Sequence, residues 1–179
     1  MDSKMKKMIM AGMVVGALLF ALIAVLGSSW ITGEDDDMKG SYSLSEAEAE
    51  WGGTTISVDF SESCDDTEDD DLCSLATAGT IGKIGLWIGI LLVVAFAAML
   101  ILPMAGIDKM DEIIPDMGKM AIQWGAGAMM LLGTIGWLIL KPEIEDPLGI
   151  GLSFWMAMFA GLLALGAPVM DMFVAADDE

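Results

Sequence analysis

Two cysteines and a run of carboxylates are the side chains whose type and spacing point most directly to chemistry. Cys64 and Cys73 enclose eight residues, six of them acidic: Asp65, Asp66, Glu68, Asp69, Asp70 and Asp71. Hard cations are held by several carboxylate oxygens at once, so calcium is the ion such a segment would take. Its order departs from the EF-hand loop, with no Gly at the sixth place and no spaced distal Glu. The segment reads first as a solvated acidic surface, because net charge maintains solubility, and second as a weak calcium site. No other cofactor is implied. The cysteines lack the Cys-x-x-Cys spacing of oxidoreductases, and the surrounding acids raise rather than lower a thiol pKa.

Other chemistry is poorly supplied. The chain has no histidine and no arginine, no glycine-rich phosphate loop, and no serine beside a plausible base. The seventeen methionines are scattered through apolar stretches, as hydrophobic filler rather than as soft copper ligands. The reading is therefore of a protein that is not an enzyme, and no nucleic-acid partner is expected.

The elements that carry these residues follow from the distribution of charge. Over 179 residues the chain is 55% hydrophobic yet has a formal charge of −19. Those figures are compatible when apolar residues form unbroken blocks with the charges between them. Met8–Leu26, Ile84–Met104, Met120–Leu140 and Leu148–Met170 contain no charged residue. A bilayer core roughly 30 Å thick is crossed by about 20 helical residues, and a backbone in hydrocarbon must be helical to satisfy its own amides. The first block, at 19 residues, exceeds the roughly 7–15 of a signal-peptide core, so it reads as a span rather than a cleaved leader. No ionisable group lies inside a block, which argues against a transporter or pump acting alone.

Lysines orient the chain. Lys4, Lys6 and Lys7 precede the first block, and with Lys109 and Lys119 they outnumber Lys39, Lys83 and Lys141 on the other side. Both termini are then cytoplasmic in a multi-pass plasma-membrane protein. Cys64 and Cys73 face an oxidising compartment, where a disulfide is expected. The expected class is an all-α membrane protein, a four-transmembrane-helix bundle with a small disulfide-pinned antiparallel β extracellular subdomain in its first outer loop. It comprises a cytoplasmic tail (1–7), a first span (8–30), the acidic β subdomain (31–80) and a second span (81–105). A cytoplasmic loop (106–118), a third span (119–140), a short outer loop (141–147), a fourth span (148–170) and an acidic tail (171–179) complete it.

Within the outer subdomain, Tyr42 and Leu44 alternate with serines, and Ile56, Val58 and Phe60 alternate with polar residues. Period two with β-branched and aromatic residues predicts two strands, each with one buried face. Trp51-Gly52-Gly53 supplies the turn between them, Glu46–Glu50 is alternatively a helical turn, and Cys64 ends the second strand. The disulfide would close a short acidic hairpin. Small residues at four-residue steps mark helix-contact faces: Gly12 and Gly16 in the first span, and Gly149, Ser153, Ala157 and Gly161 in the fourth.

Trp30 at the end of span one, Trp51 beyond it, and Cys64-x8-Cys73 give the chain a likeness. With four spans and a long first outer loop, it resembles the claudin and peripheral myelin protein superfamily. In that family the second Trp lies two residues before the first Cys, whereas here twelve intervene, and Gly85-Leu86-Trp87 falls inside span two. The resemblance implies a left-handed four-helix bundle capped by a small antiparallel sheet, with Trp30, Trp51, Cys64 and Cys73 as structural anchors. It implies roles in lateral assembly, adhesion, or as an accessory subunit. The first functional expectation is thus a structural or interaction protein in the lipid bilayer, bound to itself as a homo-oligomer or to a larger membrane partner. The second is a cation-selective channel using the outer carboxylates, and the third a non-catalytic subunit of a membrane enzyme.

Overall fold

The computed structural model describes residues 3–35, 38–67, 69–104, 106, 114–143 and 148–174. The elements in chain order are α1 (Ser3–Leu26), β1 (Ile31–Asp35), β2 (Met38–Tyr42), β3 (Glu46–Trp51), β4 (Thr54–Asp59) and α2 (Phe60–Thr67). They continue with α3 (Asp70–Met104), α4 (Asp116–Leu140), β5 (Leu148–Ile150) and α5 (Leu152–Phe173). Four of these helices, α1, α3, α4 and α5, are long and apolar enough to cross a membrane.

The long helices form a ring in which α1 packs on α5, α5 on α4, α4 on α3 and α3 on α1. Three small-residue seams let them approach. Val14, Ala17, Ala21 and Ala24 of α1 are fully buried, as are Ala157, Ala160 and Ala164 of α5. Their alternating steps of three and four are the period at which helices pack with a shallow left-handed crossing. Between α3 and α4 the backbones themselves touch: a Cβ added to Gly85 would lie 2.5 Å from Gly133 Cα. Gly127 and Gly161 play the same part between α4 and α5, where a Cβ on Gly127 would meet Gly161 O at 2.7 Å. At the end of the bundle where the chain begins and α5 finishes, Lys6 Nζ lies 3.0 Å from Asp171 Oδ1 and donates to Asp171 O at 2.9 Å.

The opposite end carries an antiparallel sheet of five strands, ordered β4-β3-β2-β1-β5. The sequence suggests two strands, and the difference has clear causes. Glu46–Glu50 belongs to β3, because its Glu-Ala alternation suits a pleated, two-faced strand once neighbours exist on both sides. Gly52 and Gly53, at φ 57° and 80°, form the two-residue turn joining β3 to β4, the backbone that fits the twist of a tight hairpin. Leu44 is buried in the turn between β2 and β3 rather than in a strand, with Gly79 of α3 directly against its carbonyl. Ser43 Oγ accepts from Ser45 and Glu46 N–H and so shapes that turn. The fifth strand comes from the link before α5, where Gly149 pairs with Thr32.

Cys64 and Cys73 form the expected disulfide, but the acidic stretch is not a hairpin. Asp59 Oδ1 accepts from Ser61 N–H, Ser61 Oγ–H and Glu62 N–H, ending β4 and starting α2 as an N-cap. Asp69 Oδ1 accepts from Asp71 and Leu72 N–H at the start of α3. Cys64 therefore lies in α2 and Cys73 in the first turn of α3, so the bond ties two helices at a corner. At 35 residues, and about 1.5 Å per residue, α3 is roughly 50 Å long. It begins well before the span expected from position 81, and its early turns flank the sheet.

Candidate interaction surface

Trp30 joins the sheet to the bundle. It is fully buried, its Nε1–H donates to Ala24 O at 2.8 Å, and its ring packs edge-on against Trp137 at 4.9 Å and Phe154 at 6.3 Å. Its backbone is equally committed: its N–H donates to Tyr42 O and its C=O accepts from Gly151 N–H. Ser153 N–H donates to Ser29 O nearby. The aromatic knot and these bonds hold β1, β2 and β5 against the ends of α1, α4 and α5, so the sheet is a rigid extension of the helices.

Register divides the sheet into two chemically distinct faces. Ile31 pairs with Tyr42, Tyr42 with Ala47, Ala47 with Val58 and Ala49 with Ile56. Side chains of directly paired residues share a face and alternate along each strand, so these residues and Trp51 form one apolar face. The other face carries Glu34, Lys39, Glu46, Glu48 and Glu50, with Thr55 and Ser57 beside them. Lys39 Nζ lies 2.9 Å from Glu34 Oε1, and that hydrogen-bonded carboxylate holds the ammonium above the usual lysine range. Close to the bundle the apolar face is covered: Ile31 is buried, and Tyr42 stacks on buried Phe60 at 6.2 Å. Away from it the cover stops. Trp51 is 67% exposed, Ile56 59% and Val58 40%.

Several expectations change accordingly. Trp51 is not a buried anchor: it ends β3 at the Gly52-Gly53 turn and is largely exposed. The predicted buried face of Ile56 and Val58 is open to the surroundings, although Phe60, in the first turn of α2, is buried. Among the small residues, Ser153 and Ala157 are buried in α5 and Gly161 lies against Leu131 and Gly127 of α4. Gly16 makes ordinary contact with Leu163, Gly12 has nothing within 4 Å of an added Cβ, and Gly149 belongs to β5 rather than to a helix. Gly12 is a member of no close seam, since a four-residue step is matched by a partner only where the neighbouring helix comes near. Close helix approaches fall instead at glycines outside the two expected stripes, where an added Cβ would meet Gly133 Cα at 2.5 Å from Gly85, Met130 Cγ still closer from Gly89, and Gly161 O at 2.7 Å from Gly127.

The proposed calcium ligands are dispersed. Asp65 and Asp66 are exposed near the end of α2, Asp69 caps α3, and Asp70 and Asp71 lie in its first turn, while Glu68 is outside the described residues. Among the described residues no three carboxylate, thiol or imidazole groups converge to hold a metal. Asp70 and Asp71 do line an open cleft with Ser74, Pro142, Glu143 and Leu148. Acids in the first turn of a helix are stabilised by its dipole, which accounts for their placement.

No known protein-family model matches this chain, and no curated protein sequence matches it, so function rests on the geometry alone.

Proposed function

We propose that the chain is an integral membrane protein of the structural or interaction type. In this reading the four long helices span the plasma membrane with both termini cytoplasmic. The sheet projects outside, where it serves lateral assembly, adhesion, or attachment as an accessory subunit to a larger membrane protein. The observation that carries the reading is the uncovered half of the sheet: Trp51, Ile56 and Val58 lie open on an element that Trp30 pins rigidly to the bundle. Exposed apolar groups in water are costly, and a contiguous group of them on a fixed platform is the usual mark of a contact surface.

Three further points support the membrane setting. The helix surfaces away from the bundle core are apolar, with Leu19, Leu91, Leu132 and Ile139 outward. Lys6 and Asp171 sit together at the end remote from the sheet, alongside the N-terminal lysines that favour a cytoplasmic side. The disulfide belongs to the sheet end, as an oxidising exterior requires. The likeness to the claudin and peripheral myelin protein superfamily then rests on this layout, not on Trp51 or on a cystine within the sheet.

Photo-crosslinking in intact cells tests the proposal. A benzophenone side chain at position 56 should form a discrete protein adduct, and one at position 32 on the polar face should form less. An absence of protein adducts from any sheet position, with recovery as a lone monomer in mild detergent, would refute it. Sidedness is read separately, by whether an impermeant maleimide reaches Cys64 and Cys73 after a reductant.

A further inference from the structure

β4 is an edge strand, paired with β3 alone among the described residues. The phase of its hydrogen bonds is set at one end by Phe60 N–H, which donates to Ser45 O at 2.9 Å. Antiparallel bonding alternates from residue to residue, so Val58, Ile56 and Thr54 turn their amides and carbonyls toward β3. Thr55 and Ser57 turn theirs outward. Edge strands that must stay single are blunted by lysine, proline or a bulge, and Thr54–Val58 has none of these. The four-strand meander is charged on β1, β2 and β3, yet β4 is uncharged until Asp59, whose carboxylate is engaged in capping α2.

Both sides of this edge are prepared for a neighbour of definite character. On the apolar face Ile56 and Val58 lie open beside the missing strand, with Trp51 behind them. On the other face Glu48 pairs across from Ser57 and Glu50 from Thr55. Glu48 has no ion-pair partner among the described residues, and Glu50 lies across from Lys39, whose ammonium is bonded to Glu34 instead, so the pair keeps an excess of negative charge beside β4. The short hydroxyl side chains of Ser57 and Thr55 do not screen them. A residue added opposite Ser57 would stand two strand spacings, about 10 Å, from the Glu48 backbone, a gap that one long cationic side chain and the glutamate bridge together.

We infer that the β4 edge accepts an extended segment of a partner in which apolar residues alternate with lysine or arginine, adding a sixth strand to the sheet. Its outward amides and carbonyls would pair with those of Thr55 and Ser57, its apolar residues would cover Ile56 and Val58, and its cations would reach Glu48 and Glu50. Charge selects this occupant over a second copy, because each copy has a formal charge of −19 and offers no cation from its own β4. The inference rests on the interaction reading above and specifies the chemistry of the partner.

The test uses the full chain in phosphatidylcholine nanodiscs and an end-blocked, fluorescent peptide of eight alternating valines and lysines, read by anisotropy. Expected is binding at least tenfold tighter than that of an alternating valine–glutamate peptide or of a block peptide with all its valines ahead of all its lysines. Ser57→Pro removes an outward N–H without breaking a bond to β3 and should weaken binding at least tenfold, whereas Ser57→Ala should not. Ile56→Glu, at an exposed position, should also abolish binding. Glu48→Gln with Glu50→Gln should weaken it and flatten its salt dependence. Equal binding of the block peptide, or full binding by the folded Ile56→Glu protein, would overturn the inference. So would a disulfide-linked dimer from Ser57→Cys that excludes the peptide, which would assign the edge to a second copy. Quenching of Trp51 by brominated lipid, without peptide binding, would assign the face to the bilayer. Protein adducts from position 56 in cells, with no peptide binding, would remove this inference and leave the interaction reading standing.

Discussion

Gly85→Ala offers the sharpest test of how the bundle is held together. The added Cβ would lie 2.5 Å from Gly133 Cα, 2.9 Å from Gly133 N and 2.9 Å from Met129 O, all backbone atoms that cannot rotate away. Van der Waals contact between carbons is near 3.5–4.0 Å, so α3 and α4 must separate by about 1 Å along their seam. Overpacking of this kind costs about 1–3 kcal/mol. Backbone contact puts this case near the upper figure, while alanine's better helix propensity returns about 1 kcal/mol. The net expectation is a loss of about 2 kcal/mol. Gly12→Ala makes the same chemical change where an added Cβ meets nothing within 4 Å, so it should be neutral or stabilising by up to about 1 kcal/mol. Propensity cancels in the difference between the two variants, leaving about 3 kcal/mol for the seam. Reversible unfolding in dodecyl maltoside with increasing SDS measures both. Since either alanine forces the same separation, Gly85→Ala with Gly133→Ala should cost less than the sum of the single changes. Equal stabilities for Gly85→Ala and Gly12→Ala would refute the reasoning.

Three other outcomes follow from the same geometry. Trp30→Ala empties a fully buried site between Trp137 and Phe154 and should cost about 3–5 kcal/mol, with hydrogen exchange rising across β1, β2 and β5 before the helices open. Replacing Cys64 and Cys73 by serine releases a cross-link with a sequence separation of nine. The chain-entropy model assigns it about 2.6 kcal/mol, read as faster exchange over 60–67 and undetectable change in the α1–α5 seam. Asp59→Ala removes the cap of α2 at about 1 kcal/mol. The Ser61 hydroxyl, with the Glu62 amide, holds the Asp59 carboxyl below the ordinary range. Its contribution is therefore present above the unfolded aspartate pKa and fades as pH falls through the lower folded one. A carbon-13 carboxyl titration showing Asp59 at or above the unfolded value would contradict this.

How much of the molecule was legible depends on how local each determinant is. The four long helices are written in uninterrupted apolar blocks, because hydrocarbon-length helices satisfy their own backbones and need no distant partner to be recognised. The turn into β4 is equally local, since Gly52 and Gly53 supply its left-handed backbone, whereas Glu46–Glu50 suits a helical turn as well as a strand until β2 and β4 pair with it. The disulfide is also anticipated. Its setting is not, because a Cys-x8-Cys spacing fits a hairpin and a helical corner alike, and the caps at Asp59 and Asp69 decide between them. Gly85 and Gly12 look alike in the chain; only the position of α4 makes one indispensable and the other free.

The candidate surface divides the same way. Alternation at Ile56 and Val58 specifies a strand with one apolar face, and it is the same pattern whether that face is covered or bare. Coverage is a property of what else reaches the site. Here α2 and α3 extend as far as Tyr42 and Phe60 and no farther, leaving Trp51, Ile56 and Val58 open. The chain's composition and periodicity thus determined its helices, its main turn and its two-faced strands, since each arises from neighbours in sequence. The order of strands, the recruitment of β5, the glycine seams and the open β4 edge were decided only by tertiary packing, because each depends on which distant backbones come within contact.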